Sequence, residues 1–117
     1  MAAYNNLPVY GAAYRLMLEC CSACSSLSKA YRYSLGEELR SAVMRLLLDI
    51  YEASRTTDKF PVVRDAQSRL VEAKICLRLL NDLTALSDRR YASFMELTED
   101  VSRQLDNWEK SLKSKGT

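Results

Sequence analysis

The chain has 117 residues and carries 17 Lys and Arg against 15 Asp and Glu, which gives a net charge of +2. This length fits one compact domain, and so small a net charge points to no class of partner by itself. The sequence has no histidine, which excludes Ser–His and Cys–His nucleophiles and the Glu-x-x-His motif of di-iron helical bundles. Its three glycines stand alone, so it has no glycine-rich phosphate loop. We therefore expect neither an enzyme nor a bound cofactor or metal.

The composition favours long helices, because Leu, Ala, Glu, Lys and Arg are plentiful and only two prolines occur. Residues 1–7 lack the basic and then apolar pattern of a secretory signal. No apolar run approaches the roughly 20 residues of a membrane span. We expect a cytoplasmic protein that does not contact a membrane.

The first two helices are predicted over residues 8–28 and 35–54. Pro8 suits the first turn of a helix, and Ser34 followed by Glu37 has the spacing of a capping box. The expected inward stripe of the first helix is Tyr10, Ala13, Tyr14, Met17, Cys20, Cys21, Cys24 and Leu27. That of the second is Leu35, Leu39, Val43, Leu46, Ile50 and Ala53.

The third and fourth helices are predicted over residues 61–86 and 88–112, with Ser87 or Asp88 capping the fourth and a frayed basic tail after it. The expected inward stripe of the third is Ala66, Leu70, Ala73, Leu77, Leu80 and Thr84. That of the fourth is Phe94, Leu97, Thr98, Val101, Leu105, Trp108 and Leu112. Four such helices with short loops predict one all-α domain over residues 1–117, an antiparallel up-down four-helix bundle.

The third predicted helix has a second apolar stripe opposite the first, and the second helix has a lesser one. These outer residues are Val71, Ile75, Leu79 and Leu86 on the third helix, and Met44, Leu48 and Tyr51 on the second. A small bundle hides only one stripe per helix in its own core, and large exposed apolar patches usually mark interfaces. We therefore predict a ring-like homo-oligomer with Met44, Leu48, Tyr51, Val71, Ile75 and Leu79 at the subunit contact. The alternative is that these residues are scattered surface aliphatics.

Three basic residues, Arg64, Lys74 and Arg78, share one edge of the third helix at the helical period. Repetition around a ring would gather them into a positive surface, which could hold a phosphate backbone without reading bases. They are the predicted nucleic-acid-binding residues. The alternative is local pairing, with Arg78 bound to Asp82 at i+4 and Lys74 bound to an acid of a neighbouring subunit.

Two further motifs have competing interpretations. The Cys21-Ser22-Ala23-Cys24 segment is formally a C-x-x-C, but a zinc site needs two more ligands, so we interpret these cysteines as small core residues. Tyr31, Arg32 and Tyr33 mix aromatic rings with a base, which could stack nucleic acid bases. Alternatively, the two tyrosines close the end of the bundle.

Five sequence blocks together resemble a bacterial four-helix-bundle family. The blocks are Leu7-Pro8-Val9-Tyr10, Tyr33-Ser34-Leu35-Gly36-Glu37, Leu48-x-Ile50-Tyr51-x-Ala53, Leu77-Arg78-Leu79-Leu80 and Gln104-Leu105-x-x-Trp108. The family includes proteins encoded in intervening sequences of 23S rRNA genes and the accessory variability determinant (Avd) proteins of diversity-generating retroelements. The resemblance implies a homopentameric barrel with a basic surface. For the retroelement members it also implies binding of RNA or DNA and of a reverse transcriptase.

The sequence thus predicts a non-enzymatic, oligomeric adaptor that binds nucleic acid. The alternative is a protein–protein scaffold that binds no nucleic acid.

Overall fold

The computed structural model describes residues 4–116, and within that range the chain forms only helices. A 3-10 turn at Tyr4–Asn6 precedes α1 (Pro8–Ser25), α2 (Lys29–Arg32), α3 (Leu35–Arg55), α4 (Lys59–Asp82) and α5 (Asp88–Gly116). The all-helical prediction is confirmed. α1 ends at Ser25, three residues before the predicted end of the first helix at residue 28, and the one-turn helix α2 follows that predicted helix, where no helix was predicted.

The four long helices pack side by side in a body of 47 × 20 × 20 Å. α3 packs against α1 and α4, and α5 packs against the same two helices. The order around the bundle is therefore α1, α3, α4, α5, in which α1 lies diagonally opposite α4. Short connections at residues 56–58 and 83–87 make sequential neighbours antiparallel.

The core follows the helical spacing of apolar residues, most regularly on α3. The predicted α3 residues Leu39, Val43, Leu46, Ile50 and Ala53 are all buried. On α1 the prediction is wrong for two residues, since Tyr14 is 48% exposed and Cys21 is exposed. α1 instead turns its small side chains inward, and its buried residues are Val9, Ala12, Ala13, Leu16, Cys20, Ala23 and Cys24.

A close approach of α3 to α2 and to the connection after α1 favours glycine at position 36. A Cβ atom there would lie 3.0 Å from the Tyr31 carbonyl oxygen and 3.1 Å from Leu27 Cδ1.

The predicted start of α3 is correct within a residue, but the predicted capping box is wrong. Ser34 makes no side-chain cap, because its hydroxyl donates to the Ala30 carbonyl at 2.7 Å.

α4 ends four residues earlier than predicted, and the end changes the environment of two residues. Thr84 has a φ of 59°, so the chain leaves the helix there. Thr84 is consequently exposed rather than inward-facing, and Leu86 is buried rather than part of the outer stripe. Both predictions are wrong because they extended the helical period past its end.

α5 begins as predicted and continues further. The Ser87 hydroxyl accepts the backbone N–H of Arg90 at 3.1 Å, which is a helix N-cap. The helix reaches Gly116, so the predicted frayed tail is wrong up to that residue, and Thr117 lies outside the described residues. Trp108 and Leu112 pack against the core but are only partly buried.

Candidate interaction surfaces

The six predicted interface residues all lie at the surface of this chain. Met44, Leu48 and Tyr51 on α3, and Val71, Ile75 and Leu79 on α4, are between 37% and 57% exposed. They do not form one continuous surface, because each ridge joins a different neighbouring helix.

The α3 ridge joins α1 through a group of tyrosines. The Tyr4 ring lies edge-on to Tyr51, with centroids 4.8 Å apart, and edge-on to Tyr10 at 5.1 Å. Tyr10 stacks on Tyr14 at 6.0 Å, and Leu18, one turn further along α1, is exposed. We call this surface the tyrosine face; it consists of Tyr4, Tyr10, Tyr14, Leu18, Met44, Leu48 and Tyr51.

The contribution of α1 to this face was missed in the sequence. Tyrosine has an apolar ring and a polar tip, so it fits both an inward stripe and a surface. The spacing of Tyr10, Tyr14 and Leu18 at i, i+4 and i+8 is the signal that could have identified it.

The α4 ridge lies instead beside α5, along a groove of about 450 Å³. We call it the aliphatic groove. Its lining residues are Val71, Lys74, Ile75, Arg78 and Leu79 from α4, and Tyr91, Met95, Thr98 and Glu99 from α5. Since α1–α3 and α4–α5 are opposite pairs in the bundle, the tyrosine face and the aliphatic groove lie on opposite sides of the molecule.

The three predicted nucleic-acid-binding residues have different environments. Arg78 Nε lies 3.6 Å from Asp82 Oδ2. This is the i, i+4 ion pair that the sequence offers as the alternative to nucleic-acid binding by Arg78. Arg64 Nε lies 3.9 Å from Glu109 Oε1, and the guanidinium lies 5.9 Å from the centroid of the Phe60 ring. Both arginines remain well exposed.

Lys74 is half-buried in the aliphatic groove, and among residues 4–116 it has no ion-pair partner. Arg64 and Arg78 are 14 positions apart on one helix, a rise of about 21 Å. One copy therefore presents two separated, partly neutralised arginines rather than a single basic patch.

The cysteines have the environment of core side chains, with one exception. Cys20, Cys24 and Cys76 are buried free thiols, and Cys21 is exposed. Burial raises the pKa of Cys20 and of Cys24, so both thiols are protonated at neutral pH. The Cys24 thiol donates to the Gly36 carbonyl at 3.5 Å. The described residues contain no group of three or more Cys, Asp or Glu that could hold a metal ion.

The Tyr31-Arg32-Tyr33 segment lies at one end of the bundle. Arg32 Nη2 donates to the Leu27 carbonyl at 3.1 Å, just past the end of α1. Tyr31 packs against the core, whereas Tyr33 is exposed. These contacts favour closure of the bundle end, but only one of the two tyrosines takes part: Tyr31 and Arg32 make the contacts, and Tyr33 does not.

A carboxylate at the seam of α3 and α4 was not anticipated. Burial, and next the nearby Asp65, raise the pKa of Asp49, while Arg69 and Arg45 act in the opposite direction. Asp49 Oδ2 is buried and has no hydrogen-bond partner. The ionised form of this side chain is therefore held in an unfavourable environment.

Comparison with known proteins identifies no family: no protein-family model matches the chain, and no curated protein is similar to it. The resemblance to the intervening-sequence and retroelement accessory proteins stays a prediction from the sequence. None of the helices between residues 4 and 116 combines the length and the apolar character needed to cross a membrane.

Proposed function

We propose that the protein is a non-enzymatic adaptor that assembles with copies of itself through the tyrosine face and the aliphatic groove. The observation that carries the proposal is that two apolar surfaces lie on opposite sides of one small bundle. Exposed apolar patches of this kind mark interaction sites. Two different surfaces joined head to tail make a ring when the rotation between copies closes.

The number of copies comes from the resemblance to the intervening-sequence and Avd proteins, which implies a pentamer. The same resemblance implies RNA or DNA, and in the retroelement branch a reverse transcriptase, as partners. Arg64 and Arg78 are the exposed basic residues that repetition around a ring would multiply into a phosphate-binding surface.

A protein–protein scaffold is the second candidate function. The observation in its favour is that Arg64 and Arg78 each have a carboxylate within 4 Å, which reduces the positive field of one copy. Salt dependence separates the two functions, because phosphate contacts release counterions and apolar contacts do not.

Self-assembly is tested by light scattering coupled to size-exclusion chromatography at micromolar protein. Wild type is expected to be oligomeric. Ile75→Asp is expected to be a helical monomer, because an unpaired carboxylate is costly at an apolar contact. Asn107→Asp, which adds the same charge at an exposed position of α5, is the matched control and should remain oligomeric. A monomeric wild type would refute the proposal.

Nucleic-acid binding is tested by gel shift with an RNA hairpin and duplex DNA at two salt concentrations. The adaptor interpretation predicts wild-type binding that weakens with salt and is lost in Arg64→Ala/Arg78→Ala. Because Arg78 also lines the aliphatic groove, sizing first establishes that the double variant remains assembled. Arg103→Ala removes an exposed arginine from α5, where it pairs with Asp100, and serves as the control. Equal binding by the double variant would remove these arginines from the site. No wild-type binding at low salt would favour the scaffold.

A further inference from the structure

The two apolar surfaces differ in shape and chemistry in a way that suits them to each other. The aliphatic groove is a depression between α4 and α5 in which the Lys74 ammonium group, without an ion-pair partner among residues 4–116, lies beside apolar side chains as well as Arg78, Thr98 and Glu99. The tyrosine face carries four clustered rings beside the aliphatic side chains of α1 and α3. A tyrosine ring attracts a cation over its face, and the attraction strengthens when both are removed from water.

We infer that the tyrosine face of one copy packs into the aliphatic groove of the next copy, with a tyrosine ring of α1 covering Lys74. This inference rests on the proposed self-assembly and specifies the contact that produces it. The occupant of the groove is a second copy because the same chain presents, on its opposite side, a surface of clustered tyrosine rings and aliphatic side chains, which can cover both the apolar lining of the groove and the Lys74 ammonium group. Lys74 then belongs to the subunit contact rather than to a phosphate-binding surface.

Helix directions agree with this packing. A ring whose axis runs along the bundle gives every copy the same helix directions, so α3 of one copy meets α4 of the next copy antiparallel. In that orientation α1 lies over α5 of the next copy. The tyrosines of α1 therefore face the α5 side of the groove. Lys74 lies on α4 but on the side of that helix toward α5, because Gln67, seven residues before it and on the same side of the helix, donates to Asp106 of α5.

Disulfide cross-linking tests which surfaces meet. The background variant is Cys21→Ser, because Cys21 is the only exposed native thiol among residues 4–116. Met44→Cys and Val71→Cys are made in it singly, together in one chain, and as two co-expressed chains. These exposed positions lie 11 residues before the end of α3 and 12 residues after the start of α4, so they stand at about the same height along the bundle. Sizing first establishes that each variant remains assembled, and copper-phenanthroline oxidation is followed by a non-reducing gel.

We expect no cross-link in either single variant, a dimer band from the co-expressed pair, and a ladder of higher species from the double variant. Self-cross-linking of a single variant would show that like surfaces meet and would overturn the inference while leaving self-assembly intact. An assembled co-expressed pair without a cross-link would overturn it too. A monomeric wild type would refute self-assembly and this contact together.

The predicted pairing of a tyrosine with Lys74 has its own test, a double-mutant cycle on the dissociation of the oligomer upon dilution. Tyr14→Leu and Lys74→Met are each expected to weaken association by about 3- to 30-fold, the range of a cation–π contact as it loses water. The double variant should be little weaker than either single variant. Tyr14→Phe, which keeps the ring, is the matched control. Additive effects of the two substitutions would refute the pairing.

Discussion

Thr84 adopts a backbone conformation that threonine rarely takes, and replacing it by glycine is expected to stabilise the protein. Its φ of 59° lies in the left-handed region. The backbone N–H of Ala85 donates to the Leu80 carbonyl at 2.9 Å, and that of Thr84 donates to the Asn81 carbonyl at 2.9 Å. These two bonds form a Schellman motif, in which glycine normally occupies the position held here by a β-branched residue.

Two opposing effects set the size of the change. The left-handed conformation costs a non-glycine residue roughly 1–2 kcal/mol. Glycine removes that cost but gives back about 0.4–1 kcal/mol, because it makes the unfolded chain more flexible. The Thr84 side chain is exposed and its hydroxyl bonds only to the adjacent Leu83 carbonyl. Thr84→Gly should therefore raise the free energy of unfolding by about 0.5–1 kcal/mol, which is a Tm increase of about 2–6 °C.

The assay is urea denaturation followed by circular dichroism, at one protein concentration for all variants because assembly contributes to stability. Thr57→Gly is the matched control. Thr57 lies in the exposed loop between α3 and α4, and Thr84 is the only non-glycine residue with positive φ among those described. Thr57→Gly should consequently lower the free energy of unfolding. If Thr84→Gly also lowered it, the argument from left-handed strain would be refuted.

Three further predictions concern the bundle itself. Gly36→Ala should destabilise it by about 1–3 kcal/mol in urea denaturation, because the new Cβ meets the Tyr31 carbonyl; Gly11→Ala, with open space around its Cβ, should instead stabilise by about 0.5–1 kcal/mol. Because the pKa of Asp49 is raised, its carboxyl group binds a proton more tightly in the folded state than in the unfolded state. The contribution of Asp49 to stability therefore favours folding at low pH and is lost as pH rises through the folded pKa. Asp49→Asn should thus be more stable than wild type at pH 7, and the difference should shrink as pH falls toward the ordinary aspartate pKa; a constant difference would contradict the assignment. Trp108→Ala should cost about 1–3 kcal/mol, less than a fully buried tryptophan, with wild-type emission typical of a partly exposed indole.

The regular helices follow from the sequence because their apolar residues keep one period over many turns. The α3 core from Leu39 to Ala53 is the clearest example. The end of α4 does not follow, since the residue that terminates it is Thr84 rather than a glycine or asparagine that would mark a helix stop. The sequence also does not indicate which side of α1 faces the core, because Tyr14 suits an inward or an outward position. The choice depends on how closely the alanines of α1 let α3 approach.

The candidate interaction surfaces, like the fold, are only partly predictable from the sequence. The second apolar stripe of α3, which includes Leu48, and that of α4, which includes Ile75, are visible in the local sequence. The exposure of these two residues could therefore be expected from their spacing alone. Which neighbouring helix each ridge joins depends on the order of helices around the bundle, and no short segment encodes that order. The ion pairs of Arg64 with Glu109 and of Arg78 with Asp82 illustrate the contrast: the second is an i, i+4 pair legible in the sequence, and the first joins α4 to α5.

Because the two surfaces lie on different helices, damage to one should leave the other able to bind. A chain with Leu48→Asp keeps its aliphatic groove, and a chain with Ile75→Asp keeps its tyrosine face. Each variant alone is expected to be monomeric, since every copy lacks one of the two surfaces that a head-to-tail contact needs. Mixed in equal amounts they should form a 1:1 dimer and nothing larger, because the intact groove of the first accepts the intact face of the second and both remaining surfaces are blocked. A contact between like surfaces predicts the opposite, with each variant still pairing through its own undamaged surface, so light scattering of the two variants alone and mixed decides between the arrangements.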